Sequence, residues 1–309
     1  MFGFLFGNNS EPDLTKSMGD DWKKELDCLY YNLSRPFDAS LYQHLHGEGY
    51  SLLRQARKKL GSRHPDCALA LIFMGETKLK LRASPFRAAE NIREAIGIIE
   101  DAGGGSSGLM ADALSVLAQA NLKIEAEGVS KPETEGMMRS CVEIYAKMGV
   151  SHELKYMQAK RNLVDYIRRH KIVDSYDEAE KLMRQNVQTI ILMQEEMFRD
   201  DDLIDNERYR YLAKTTRENL ADFSKLAAAL DALDQKEASF EAHIQGIRFV
   251  RNMFTDDFLF TEGFGYLSLL YSPAILFCDE NGMTERKAIL EDEFFEAKET
   301  HLAWAYDET

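Results

Sequence analysis

The sequence is poor in the residues that interrupt regular structure or cross-link a small fold. It has 6 prolines, 19 glycines and 4 cysteines among 309 residues. So little proline and glycine excludes a collagen-like or proline-rich disordered chain. The cysteines lie far apart, without the spacing of a zinc finger, so they are expected to be core thiols in a reducing intracellular compartment. They are Cys28, Cys67, Cys141 and Cys278.

Long apolar runs and an excess of positive charge are also missing. No segment approaches the roughly 20 apolar residues that span a bilayer, which predicts a soluble protein without a membrane span. Lysine and arginine number 38 against 52 aspartates and glutamates, a net charge of −14. Such an acidic surface repels phosphate backbones, so nucleic acid is not an expected partner. The first residues lack the basic region and cleavage site of a signal peptide, which makes the cytoplasm the default location and leaves the organelle open.

Motifs that bind metals or cofactors are absent from the sequence. None of the 7 histidines forms His-Glu-x-x-His or follows a glutamate by three positions. The glycine-rich segment 103–108 lacks the lysine of a phosphate loop, and the acidic segment 200–205 lacks the glycine and final glutamate of an EF-hand. We therefore expect no metal, no cofactor and no catalytic residue. An enzyme whose catalytic groups are distant in sequence is the less favoured alternative.

What the sequence has in abundance is helix-forming residues at helical spacing. Hydrophobic residues make up 45% and charged residues 29%, and Ala, Leu, Glu, Lys, Arg and Met fill long stretches. Apolar residues recur three and four apart between capping residues, which predicts an all-α protein. The expected helices cover 21–34, 40–60, 65–79, 85–99, 109–127, 133–147, 152–170, 176–198, 206–230, 233–253 and 284–304.

The predicted helices form pairs, and the pairs repeat. Short turns join neighbouring helices into αα-hairpins. The clearest internal similarity is between Asn162–Tyr166 (NLVDY) and Asn219–Phe223 (NLADF), each on the first helix of its hairpin. Such self-similarity is typical of a right-handed αα-hairpin solenoid, in which each hairpin stacks on the next.

The two ends of the chain depart from the repeating pattern. Residues 1–20 form an apolar segment expected to be flexible, and 21–253 the helical-repeat domain. In residues 254–309 we expect an atypical cap, in which Gly263, Gly265 and Pro273 interrupt any long helix before the one that Thr284 begins. The segment 103–108 is interpreted as a loop between hairpins rather than a domain boundary.

Residues 60–100 carry a resemblance to a known repeat. His64-Pro65-Asp66 with Ala68 precedes the first helical face, and Gly75 lies at its small position. Ala88 and Ala95 lie at the small positions of the second helix. In these residues the hairpin resembles the tetratricopeptide-like repeats of kinesin light chains and of the C-terminal helical domain of SET-and-MYND proteins.

A later unit repeats part of this pattern. Tyr176–Glu180 is similar to the opening of the second helix, and Asn186 stands where the family has a small residue. The resemblance covers about residues 40–250 and implies a tetratricopeptide-like fold that binds other proteins. It does not extend to methyl transfer, since the chain has no cysteine-rich MYND finger and no room for a SET domain.

The expected function is that of a non-catalytic scaffold or adaptor, or of a structural subunit of a larger assembly. The first helices of stacked hairpins build a concave groove, which would bind a partner helix or an extended peptide. One alternative is a transient receptor for acidic peptide tails in a basic groove; another is that the asparagines only pack within the repeat. The candidate partner-binding residues are Phe2, Phe4, Phe6, Lys78, Arg82, Arg161, Asn162, Arg168, Arg217 and Asn219.

Overall fold

A computed structural model describes residues 17–33, 39–81, 84–124, 131–149, 152–199, 216–253 and 260–307. All regular structure in these ranges is helical, as the composition predicts. A short 3-10 turn, Val173–Ser175, precedes one of the helices. The α-helices are α1 (Asp20–Leu33), α2 (Ala39–Leu60), α3 (Pro65–Lys80), α4 (Pro85–Asp101), α5 (Gly108–Ile124), α6 (Lys131–Met148), α7 (Glu153–His170), α8 (Tyr176–Arg199), α9 (Thr216–Ala232), α10 (Lys236–Met253), α11 (Phe260–Glu280) and α12 (Thr284–Asp307).

The chain divides into two compact units, 1–159 and 160–309, and the division falls within α7. Our division into an N-terminal segment, repeats and a cap stays a prediction. In the second unit α11, which belongs to the predicted cap, packs against α9 and α10. None of the helices in the described ranges is both long and apolar enough to cross a membrane.

The first unit is built from helices that pack in chain order. Each helix from α1 to α5 packs against the next one, and α3 also contacts α1 and α5. Two helix ends follow the capping rules that the sequence suggested. His64 is the N-cap of α3, since its Nδ1 accepts a hydrogen bond from the Asp66 amide at 3.2 Å. Gly61 follows α2 with a φ of 91°, a left-handed conformation that favours glycine.

Small residues allow α3 and α4, the two helices of one hairpin, to lie close together. A Cβ added to Gly75 of α3 would lie 2.5 Å from Cδ1 of Ile92 on α4. Ala88 and Ala95, at the predicted small positions of α4, are fully buried. A larger side chain at Gly75 would therefore displace the side chain of Ile92.

The second unit contains a buried polar network between three helices. Arg161 on α7 donates from Nε to both carboxylate oxygens of Asp222 on α9, each at 2.8 Å. Its Nη2 donates to Oδ1 of Asn219 at 2.9 Å, and Asn186 on α8 donates to Asp222 at 3.2 Å. At the position of Asn186 the similar repeats have a small residue. Here the larger asparagine is accommodated because its amide bonds the buried carboxylate of Asp222.

The expectation of an interrupted helix around Pro273 is wrong. Helix α11 runs from Phe260 to Glu280 with Pro273 inside it. Pro273 is exposed, whereas Leu270, Tyr271 and Ala274 are buried. A proline removes one backbone hydrogen bond from a helix. Because Pro273 is on the solvent-exposed face, water can bond the carbonyl that loses its partner, and the buried face of α11 still packs.

Two smaller expectations also need correction. Helix α10 begins at Lys236 rather than at 233, because Leu233 and Asp234 form a turn in which Asp234 has a φ of 58°. Cys28 is exposed, whereas Cys67, Cys141 and Cys278 are buried as expected. The predicted start of α9 at residue 206 and the acidic segment 200–205 lie outside the described residues.

Candidate binding groove

A concave cavity of about 940 Å³ lies in the first unit, against the first helix of three successive hairpins. Helices α3, α5 and α7 supply most of its walls, and α2 and α6 add one tyrosine each. We call this cavity the groove. Its lining residues are Tyr42, Glu76, Leu79, Lys80, Asp112, Ser115, Val116, Gln119, Lys123, Tyr145, Lys155, Gln158 and Ala159.

The same spacing brings each of the three helices to the groove. Positions 76, 79 and 80 of α3 line it, as do 112, 115 and 116 of α5 and 155, 158 and 159 of α7. Residues three and four apart lie on one face of a helix. The groove is therefore the surface made by one face of each first helix, as the sequence predicted for stacked hairpins.

Two lysines of the groove connect successive first helices. Lys80 near the end of α3 donates from Nζ to the backbone carbonyl of Leu33, the last residue of α1, at 2.9 Å. Lys123 near the end of α5 donates to the carbonyl of Leu79 of α3 at 2.7 Å. Carbonyls at a helix C-terminus lack intrahelical partners and carry partial negative charge, so a cation is favourable there. These ammonium groups therefore serve the stacking of the repeat.

Asp112 on α5 is the centre of a second set of contacts. Tyr145 donates from its hydroxyl to Asp112 Oδ1 at 2.5 Å, and Lys155 donates to both carboxylate oxygens at 2.7 and 2.9 Å. Burial, and then the charge of Asp112, raises the pKa of Tyr145, so the phenol keeps the proton that it donates. Asp112 thus joins α5 to α6 and α7.

Glu76 on α3 differs from the other charged residues of the groove. Its carboxylate has no hydrogen bond or ion pair within the part of the chain that the structure describes. Burial, and next the charge of Asp112, raises its pKa to about 7, against the opposing effect of Lys80 and Lys155. Near neutral pH the protonated and charged forms of this side chain are therefore both populated.

The structure does not place all the predicted binding residues in this groove. Lys78 is half-buried on α3 and does not line the cavity; burial, and then Arg87, lowers its pKa. The other lysine at this end of α3, Lys80, is the one in the groove. Phe2, Phe4, Phe6 and Arg82 lie outside the described residues, and so does the side chain of Arg217.

The residues predicted on α7 and α9 separate into two groups. Arg161 and Asn219 are buried at 2% and 0% exposure and bonded to each other, so they are structural residues of the second unit, which corrects their prediction as surface contacts. For Asn219 the alternative of packing within the repeat is the arrangement observed. Arg168 is exposed and Asn162 is half-buried, and their role in binding stays a prediction.

Sequence reasoning missed Glu76, Asp112, Tyr145 and Lys155 as lining residues. A signal for two of them was present, because Glu76 lies four residues before Lys80 on α3 and Asp112 lies four residues before Val116 on α5. Such polar positions beside an apolar face indicate a second, solvent-facing surface of the helix. Tyr145 carries no such signal, since it comes from a second helix and reaches Asp112 only after packing.

Comparison with known proteins supports the fold but does not indicate a function. No protein-family model matches the sequence, and no curated protein matches it either. Among solved structures, the nearly identical TPR-like repeats of a predicted kinesin light chain from Podosopora anserina are similar. They superpose with a TM-score of 0.52 at 16% identity over 76% of this chain and 98% of that one. The fold is a TPR-like helical repeat.

A second similar structure is BtubC (BKLC) from P. vanneervenii. It has a TM-score of 0.53 at 14% identity, over 77% of this chain and 94% of that one. At this level of identity the likeness concerns the fold alone. The resemblance to SET-and-MYND proteins stays a sequence-based expectation.

Proposed function

We propose that this protein is a non-catalytic scaffold or adaptor that holds a segment of a protein partner in the groove. The observation that carries the proposal is the groove itself, a cavity of about 940 Å³ on the faces of α3, α5 and α7. Helical repeats with this arrangement present an extended concave surface to a peptide or helix. Tyr42 and Val116 offer apolar contact there, while Ser115 and Gln119 offer hydrogen bonds.

Catalysis is a second candidate, and one observation favours it. Glu76 combines a place in a cavity with a pKa raised to about 7, as general acids and bases often do. Acid–base chemistry also requires a group that binds or activates the substrate. The other polar groups of the groove are Asp112, Tyr145 and Lys155, and these are bonded to one another. Because those bonds already use the groups that would have to act on a substrate, the scaffold is favoured.

The proposal is tested by filling the groove without disturbing the core. Gln119 is exposed on α5 and lines the groove, so Gln119→Trp places a large ring in it. Gln55→Trp on α2 is the matched control, since Gln55 is exposed and does not line the groove. Each tagged variant is used to capture partners from the native source at low and high salt, and co-purifying proteins are quantified by mass spectrometry.

The expected result is a stoichiometric partner that wild type and Gln55→Trp retain and Gln119→Trp loses. Equal capture by both variants, or no partner for wild type, would contradict the proposal. Retention at high salt indicates a fixed assembly subunit held by apolar contact, whereas loss at high salt indicates a charged receptor. Capture by a chain without residues 1–7 tests the part that Phe2, Phe4 and Phe6 play in an assembly.

A further inference from the structure

The charges that line the groove are not equally available to a ligand. Lys80 and Lys123 donate to helix-end carbonyls, and Lys155 donates to Asp112. Each of these ammonium groups therefore already has an acceptor in the fold, and Lys155 is paired with a carboxylate. Glu76 alone among these charged side chains lacks a hydrogen-bonded partner within the described ranges, so it is the charged group that gains most from a bond to a ligand.

The surroundings of Glu76 add aromatic rings to its negative charge. Tyr42 and Tyr145, each 3% exposed, also line the cavity, and the charge of Glu76 helps to raise the pKa of Tyr30 on α1, after the larger effect of burial. Aromatic faces attract cations. Lys80 shows this within the groove, since its Nζ lies 6.0 Å from the centre of the Tyr42 ring.

These contacts define the chemistry of the occupant. We infer that the bound partner segment places a basic side chain, lysine or arginine, in the groove against Glu76, which deepens the function proposed above and rests on it. The cation would form the ion pair that Glu76 lacks, beside the carboxylate of Asp112, and this attraction has to exceed the repulsion from Lys80 and Lys155. A partner with a neutral or acidic residue at this position would leave a half-buried carboxylate unpaired.

This binding mode implies a dependence on pH. A proton and a basic side chain compete for Glu76, so the segment binds best when the carboxylate is charged. The ionisable groups around Glu76 come from each neighbouring helix of the groove. They are Tyr30 of α1, Tyr42 of α2, Lys80 of α3, Asp112 of α5, Tyr145 of α6 and Lys155 of α7; α4, which packs against α3, contributes no described side chain to the lining.

The probe for this inference is a phage-displayed library of random 12-residue peptides, selected on the full-length protein at pH 8. Three proteins are compared: wild type, Glu76→Gln and Glu143→Gln. The first substitution removes the charge in the groove and keeps the shape of the side chain. The second is the matched control, because Glu143 is exposed on α6 and does not line the groove.

We expect wild type and Glu143→Gln to enrich peptides that share one basic position, and Glu76→Gln to lose that preference. A labelled enriched peptide should bind wild type about tenfold more weakly at pH 6 than at pH 8, since a group with a pKa near 7 is about one-tenth charged at pH 6. Its weak binding to Glu76→Gln should not change with pH.

Three results would overturn the inference. They are an acidic or neutral consensus, a basic consensus that Glu76→Gln retains, and no enrichment with wild type. Capture of a native partner that Gln119→Trp loses would leave the scaffold function standing in each of these cases. The two failures are therefore distinguishable.

Discussion

At the scale of single residues, the absence of a side chain decides how closely two helices of the first unit approach. Gly75 of α3 leaves space that Cδ1 of Ile92 fills. Gly47 of α2 is exposed, and a Cβ there would meet no atom within 4 Å. The same residue type therefore has opposite effects on stability at these two positions.

Substituting the two glycines should change stability in opposite directions. Gly75→Val displaces the buried side chain of Ile92 and should lower the free energy of unfolding by about 1–3 kcal/mol, the usual cost of overpacking a core. Gly47→Ala gains helix propensity at an open position and should raise it by up to about 1 kcal/mol. Denaturant unfolding followed by circular dichroism measures both, and a stabilising Gly75→Val would refute the close contact.

The four cysteines should differ in reactivity because the thiolate is the nucleophile. Burial raises the pKa of Cys67 to about 11 and of Cys141 to about 12, and raises that of buried Cys278 as well. Brief treatment of the native protein with iodoacetamide at pH 8 should therefore modify Cys28 first. Mass spectrometry identifies the site, and treatment of the denatured protein, in which all four should react, is the control.

At the scale of the element, a repeated sequence motif occupies two different environments. In the motif shared by α7 and α9, Asp165 and Asp222 hold the same position. Asp165 pairs with Lys225 at the surface with its side chain 53% exposed, whereas Asp222 is buried with Arg161. Sequence similarity therefore predicted the position of each aspartate along its helix but not its surroundings.

This pair of aspartates allows a matched test. Asp222→Ala leaves the Arg161 charge buried without its carboxylate and should cost about 3–5 kcal/mol of unfolding free energy. Asp165→Ala breaks an exposed pair and should cost at most about 1 kcal/mol. The double variant Arg161→Met with Asp222→Leu should recover part of the loss, since neither charge is then buried, while Asn186 and Asn219 still lose their bonds to the pair. Equal costs for the two alanine variants in urea unfolding would contradict the assignment of a structural network.

At the scale of the whole molecule, Glu76 makes stability depend on pH. Its pKa is about 7 in the folded protein against an ordinary value of 4.5. Between these two values the folded state keeps a proton that the unfolded chain has lost. The stabilisation that this proton gives the folded state is therefore complete below pH 4.5. It decreases as the pH rises and is lost above about pH 7.

Glu76→Gln should remove this dependence. At pH 8 the variant should be more stable than wild type by about 2 kcal/mol, a value below the full linkage energy because the side chain is only half-buried. At pH 4 the two proteins should differ little. Urea unfolding at pH 4, 6 and 8 measures the difference, with Glu143→Gln as the control; a stability gap that stays constant with pH would show that Glu76 is not the titrating group.

The all-helical class, most helix boundaries and the caps at Gly61 and His64 follow from the order of the residues alone. These features depend on apolar spacing and on hydrogen bonds between residues close in the chain, which a single segment displays. The order of the residues also predicts that the first helices form a concave surface. Pro273 was misjudged because whether a proline breaks a helix depends on which face is packed.

Which side chains line the groove and which are buried depends on how the helices pack in three dimensions. Arg161 and Arg168 lie on the same helix, yet Arg161 is buried because Asp222, far along the chain, packs against it. Glu76 acquires its raised pKa from burial and from Asp112 on another helix. Burial and charge coupling are sums over neighbours in space, and the spacing of residues along one helix does not contain them.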